Sequence, residues 1–205
     1  MIDTYIHFQA ATMEPCTTSR DVMEAASWVC SGCRMPRDNA KDISVIIDRE
    51  SLRAQFLTFV SALAVGLINE DFLASFDLHA RSSDLLLDPV FDLNGQRVEG
   101  WKAFRGKERV IVRGSKNVTC RVCHDCGRNV YFAMGHRYLS PAPSSGRRIM
   151  GSDLFGLIVP LEDYQHFSRK EWPGVTIDSL KVRETASDGL GAIRWNSTDV
   201  ASGAC

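Results

Sequence analysis

Four cysteines constrain this chain more than anything else in it. Cys123-His124-Asp125-Cys126 is followed at once by Gly127 and then by the strand-like run at 129–132, and far upstream stands a second pair, Cys30-Ser31-Gly32-Cys33. Two cysteines around a two-residue turn point both sulfurs at one ion, and a glycine after the second lets the backbone take a positive φ. Such a knuckle supplies two ligands where a tetrahedral site needs four. The two pairs are therefore expected to meet in space. Cys30, Cys33, Cys123 and Cys126 read as one structural, zinc-ribbon-like zinc site that clips together segments roughly ninety residues apart.

Cys120 complicates the register, because Cys120-x-x-Cys123 is also a CxxC and His124 lies in the same loop. Glycine follows Cys126 but not Cys123, which favours Cys123 and Cys126 as the ligands. Cys120 is then a buried spare and His124 an exposed loop residue. An iron–sulfur cluster would be expected to carry the closing Cys-Pro of the bacterial ferredoxin run, which is missing here.

Around this clip the sequence predicts helices packed on an antiparallel sheet. A short strand is expected at 5–8. A short helix over 22–26, capped from Ser19-Arg20-Asp21, would deliver Trp28 to pack against the metal loop. Residues 43–47 read as a buried strand. Asp48 then caps the clearest helical pattern, with Leu52, Phe56, Phe59, Val60, Leu63 and Leu67 at helical spacing and Gly66 at its stop. Another helical turn is expected over 70–76. From Phe76 the period changes to two, and Asn94-Gly95 marks a hairpin. Further strands follow at 109–113 and into the cysteine loop, so that 76–134 form a sheet whose last hairpin holds the metal. Pro160 opens a helix to Trp172, with Tyr164 and Phe167 inward, before a last strand over 174–182. The expected class is α+β, an antiparallel sheet with a few packed helices. It forms a single domain over 1–184, followed by a loosely held tail over 185–205 that is poor in apolar residues.

At 205 residues and 44% hydrophobic composition, a sizeable core is possible. The formal net charge of −1 argues against a phosphate-binding surface, which needs a surplus of Lys and Arg. The first residues lack a basic stretch followed by an apolar core, and no run approaches 18 apolar residues, so a soluble cytoplasmic protein without membrane contact is expected. Seven cysteines, an odd number and mostly at CxxC spacing, fit a reducing compartment where thiolates hold metal.

No catalytic set stands out. The His-x-Glu and Pro-Cys-x-x-Cys of zinc deaminases, His-Glu-x-x-His, Gly-x-Ser-x-Gly and a phosphate-cradling glycine loop are all missing from the sequence. Four cysteine ligands would also close the shell of the metal and leave no position for water or substrate, so no enzyme is expected.

Two widely spaced CxxC pairs, the second as CxxCG before a short strand, then Ser152-Asp153-Leu154-Phe155, a helix with an inward Phe and a Gly174-Val175-Thr176-Ile177 strand, resemble the double-CxxCG family of bacterial toxin-immunity proteins. The resemblance covers the two knuckles and residues 150–184. It departs from the family in placing Arg34 where the first pair's glycine should stand and in adding Cys120. It implies zinc on Cys30, Cys33, Cys123 and Cys126, and a cognate protein toxin as the partner that the chain binds and neutralises. The alternative is a zinc-ribbon nucleic-acid-binding protein in transcription or RNA processing, with Arg121, Arg128, Arg137, Arg147 and Arg148 as contacts. A thiol redox enzyme is a third reading. It is disfavoured because Cys30 follows a helix-like stretch rather than opening a helix that would lower its pKa.

Overall fold

The computed structural model describes residues 4–11, 16–19, 22, 26–33, 35–37, 40, 43–52, 56–60, 65–76, 84–107, 109–110, 112–127, 129–140, 142–143, 148–152, 156–164, 172–183 and 193–194, with backbone only at 115–122, 129–134 and 193–194. All structural statements below concern these residues.

The chain folds into two curled β-sheets, which corrects the α+β expectation. The larger sheet contains β1 (Thr4–Ala10), β7 (Arg109–Val110), β8 (Val112–Val122), β9 (Asn129–Leu139), β10 (Met150–Ser152), β11 (Leu157–Pro160), β12 (Val175–Val182) and β13 (Ile193–Arg194). Its strands run in the order β13-β8-β9-β12-β1-β11-β10-β7. The smaller sheet contains β2 (Val45–Ile47), β3 (Leu57–Val60), β4 (Val65–Asn69), β5 (Leu85–Asp92) and β6 (Arg97–Gly106), in the order β2-β5-β6-β4-β3. Two short α-helices accompany them, α1 (Glu70–Ala74) and α2 (Leu161–Tyr164), and Val22 is helical within the expected first helix. In the larger sheet β7 and β8 lie toward opposite ends of the strand order yet are joined through residue 111, so the sheet must roll back on itself.

The principal error lies in the segment read as the clearest helix. Asp48 does cap, its carboxylate accepting from the Glu50 N–H at 3.0 Å, but the turn it opens is a 3-10 turn over Arg49–Ser51. Beyond it β3 and β4 pair antiparallel, Leu57 opposite Ile68 and Val60 opposite Val65. These strands are covered on both faces, which is why their apolar residues run continuously and mimic a helical spacing. Gly66, read as a helix stop, is a strand residue opposite Phe104, and a Cβ there would lie 2.4 Å from the Phe104 ring. A strand glycine of this kind admits a neighbouring aromatic.

Other expectations hold. The turn after β4 is helical, with the Asn69 side chain accepting from Asp71 N–H at 2.9 Å. Asn94-Gly95 closes the β5–β6 hairpin, Gly95 having φ 76° and Asp92 accepting from the N–H groups of Asn94 and Gln96. Strands form at the N-terminus, at 45–47 and at 175–182 as expected. The helix expected after Pro160 is described only through Tyr164; Phe167 lies outside the described residues, as do 23–25 of the expected first helix. In the region expected to be a loose tail, Ile193 and Arg194 pair parallel to Val118 and Thr119.

Strand periodicity builds a layered core. Side chains from the smaller sheet, among them Val65, Leu67 and Ala103, pack on one face against Val29 and Cys16 from the N-terminal segment. From its other face Leu57, Ile68 and Phe104 meet Ile6, Phe8, Leu157 and Val159 of the larger sheet, where Phe8, Phe72 and Phe76 stack edge to face. The alternate residues of those same strands, Tyr5 and Ile158, turn into a third cluster inside the rolled sheet with Val110, Val112, Leu139, Met150 and Leu180. Each sheet thus presents one face to the other, and the N-terminal segment forms an outer layer.

Candidate metal centre

The first cysteine pair sits at the end of a small β-hairpin. Val29 bridges Pro36, Cys30 N–H donates to the Met35 carbonyl at 2.9 Å, and Arg37 N–H donates to the Trp28 carbonyl at 2.9 Å. Val29 is buried in the cluster under the smaller sheet, and Trp28 packs half-buried against that cluster. Downstream, Arg105 donates to the Ala40 carbonyl at 2.8 Å and to Asp88 at 2.9 Å, while Asp88 accepts from Ile43 N–H. The first pair is therefore seated on the smaller sheet.

The second pair lies at the tip of the β8–β9 hairpin of the larger sheet. Gly127 N–H closes that turn onto the Cys123 carbonyl at 2.8 Å, and Gly127 has φ 69°, the left-handed backbone the sequence predicts after the second cysteine.

The two tips meet. Cys30 Sγ lies 3.6 Å from Cys123 Sγ, Cys33 Sγ lies 3.7 Å from Cys126 Sγ, and all four sulfurs fall within 4.8 Å of one another. A tetrahedral ion with metal–sulfur bonds of about 2.3 Å requires sulfurs about 3.8 Å apart. A disulfide requires about 2 Å, and none of the five described cysteines forms one. The donor set and its spacing fit a metal ion. Cys30 and Cys123 are buried, Cys33 is half-buried and Cys126 is exposed, so the site is closed from the protein side and open to ion entry at one edge. The backbone N–H of Cys33, helped by that of Gly32, lowers the Cys30 thiol to about 6, whereas burial pushes the Cys33 thiol up to about 12. Metal binds the thiolate form, so its uptake releases the protons that the thiols carry.

The site brings together all four predicted ligands. Cys16 is elsewhere, its sulfur 3.8 Å from the Ser51 carbonyl in the core, and His124 is fully exposed. Cys120 lies on the β8 backbone, while its side chain, Arg34 and Cys205 lie outside the described residues.

Three residues between the ligands escape sequence reading. Ser31 Oγ donates to Asp125 Oδ2 at 2.5 Å, tying one loop to the other, and this bond, with His124 beside it, holds the Asp125 carboxyl below the usual carboxylate range. A Cβ on Gly32 would lie 2.9 Å from Cys123 Sγ and 3.0 Å from Asp125, so the loops interlock only with glycine there. Sequence spacing carries no signal for a serine–aspartate contact across 94 positions. A latch outside the ligands orients them and slows their escape, and such partners commonly carry about 10- to 100-fold in metal affinity. Asp125→Ala or Ser31→Ala should therefore weaken metal binding by about tenfold in a chelator competition while leaving the circular-dichroism spectrum of the loaded protein unchanged; equal affinity would show that the contact is incidental.

Among the described residues, no helix is long and apolar enough to cross a membrane. Compared with known protein families and with curated proteins, the chain matches no family model and no curated sequence.

Proposed function

We propose that the protein is a cytoplasmic immunity protein that binds a cognate toxin, with zinc as a purely structural element. The observation that carries the zinc reading is the closure of one four-thiolate set from two sheets. Soft thiolates in a tetrahedral set favour zinc or iron–sulfur chemistry, and two CxxC pairs supplying four sulfurs are read here as the ligands of a single zinc ion. Four protein ligands leave such an ion no open position, so its contribution is folding energy and not Lewis-acid chemistry. Function then belongs to the protein surface. The step from binding surface to toxin immunity rests on the likeness of the two knuckles and the 150–184 region to the double-CxxCG immunity family.

The nucleic-acid alternative is disfavoured by the formal net charge of −1. Of the five arginines it would use, Arg137 donates to Gln9 and stands near Asp178, and Arg148 donates to the buried Asp163. Arg121, Arg128 and Arg147 side chains lie outside the described residues.

A binder removes one toxin molecule per copy. Co-expression with its cognate toxin should rescue growth in proportion to the level of this protein, and the pair should co-elute with an affinity near the nanomolar range, about −12 kcal/mol. Protection at strongly substoichiometric levels, or by a variant that no longer binds the toxin, would overturn the inhibitor reading.

A further inference from the structure

Parallel pairing between β9 and β12 is confined to Tyr138 with Lys181 and Leu139 with Val182. Away from that point β12 follows β1 to Val175, whereas β9 follows β8 to the cysteine loop, so the two strands part. The cause is visible in β9. Between the pairs Gly114–Arg137 and Lys116–Met134, β9 carries Gly135 and His136 against Ser115 alone, and Gly135 has φ 76°. This is a bulge with glycine in the left-handed region, a device that bends a strand and re-aims its side chains. The opening it leaves is a cleft of about 470 Å³, with Gln9, Gly135, His136, Arg137 and Asp178 among its lining.

Three of these side chains form a chain of charge-assisted contacts. Arg137 Nη1 donates to Gln9 Oε1 at 2.7 Å, Gln9 Nε2 donates to Asp178 Oδ2 at 2.6 Å, and Arg137 Nη1 stands 3.8 Å from Asp178 Oδ2. The neutral amide bridges a guanidinium and a carboxylate that also face each other as a long ion pair, using one N–H of the first and one oxygen of the second. The two side chains are 34% and 47% exposed, so part of each charged group faces the cleft. A guanidinium fork with open N–H groups takes a carboxylate in two parallel hydrogen bonds, and an open carboxylate oxygen takes an ammonium. In an α-amino acid a single carbon separates those two charges, which suits partners this close; a longer zwitterion would overreach one of them. The cleft's polar lining gives an apolar ligand little to bury against.

We propose that the β9–β12 cleft is a binding site for a free α-amino acid, its carboxylate on Arg137 and its ammonium on Asp178. The site stands apart from the metal centre and does not depend on the immunity reading.

Isothermal titration of the metal-loaded full chain with L-alanine, L-serine and L-glutamine tests it, with acetate and methylammonium as half-ligands and the Gly135 amide shift as a second readout. Saturable binding of at least one amino acid is expected, with the Gly135 amide moving. Arg137→Ala and the near-isosteric Asp178→Asn should each weaken binding about ten- to a hundredfold, the loss that follows removal of a hydrogen-bonded charge. Acetate should bind far more weakly and be insensitive to Asp178→Asn. Absence of saturable binding by all three amino acids overturns the proposal, as does equal affinity for acetate, or amino-acid binding that survives Asp178→Asn unchanged. If Arg137→Ala does not fold, Asp178→Asn alone decides between these outcomes.

Discussion

Cys123→Ser should unfold the protein, and removal of the metal by a strong chelator should reproduce that loss. Cys123 is buried between the two loop tips, 3.6 Å from Cys30, so its loss leaves three ligands and places a hydroxyl among thiols. Binding free energy of a structural zinc is folding free energy, on the order of 10 kcal/mol, and this is comparable with the whole stability of a domain. The effect should also be graded by place. Cys126→Ser, at the exposed edge, should cost less than Cys123→Ser, because a water can complete the shell there. Denaturant melts of metal-loaded proteins, paired with elemental analysis for one zinc per chain, check both statements. A Cys123→Ser protein that keeps wild-type stability, or a wild type that carries iron with visible absorbance, would end the structural-zinc assignment.

The second large effect is acid sensitivity centred on His7. This residue is fully buried on β1, its Nε2 3.0 Å from Ser152 Oγ, with Gly156 so close that a Cβ there would meet the ring at 2.3 Å. Burial first, and then the positive charge of Arg137, lowers its pKa from 6.5 to about 3. The folded pKa lies below the unfolded one, so the unfolded chain binds the extra proton. The stability held by neutral His7 is complete above about pH 6.5 and drains away as pH falls toward about 3, at about 1.4 kcal/mol per pH unit and several kcal/mol in all. His7→Gln keeps a hydrogen-bonding group for Ser152 and cannot titrate. Urea melts at a series of pH values should give the wild type a steeper loss below pH 6.5 than this variant. Parallel curves would show that His7 does not carry the acid response.

The same physics explains what the sequence disclosed and what it concealed. The four ligands were legible because metal geometry demands a fixed local spacing, and the Asn94-Gly95 hairpin because a two-residue turn demands a positive φ. Residues 57–69 were misread because β3 and β4 are buried on both faces, so alternation vanishes and Val60, Leu63 and Leu67 fall by chance on a helical period. The meaning of Gly66 depended on Phe104, and that of Gly32 on Cys123. Neither partner is visible in a local window. The Arg137–Gln9–Asp178 chain is likewise assembled from three strands distant in sequence, with only the glycine of the β9 bulge as a local trace.

The metal centre joins positions 93 apart, and that separation has a consequence during synthesis. A ribosome adds about 5–20 residues per second, so the first pair leaves it roughly 5–20 s before the second can follow. Throughout that interval Cys30 and Cys33 are an incomplete half-site on a nascent chain, able to hold an ion only loosely or to meet an oxidant. The smaller sheet is complete in sequence by Gly106, before Cys123 is made, and can already seat the Val29 hairpin. The ion can then be captured once the β8–β9 tip reaches a waiting pair, which places the demand for metal after the strands of the smaller sheet have been made and not at the first fold of the chain.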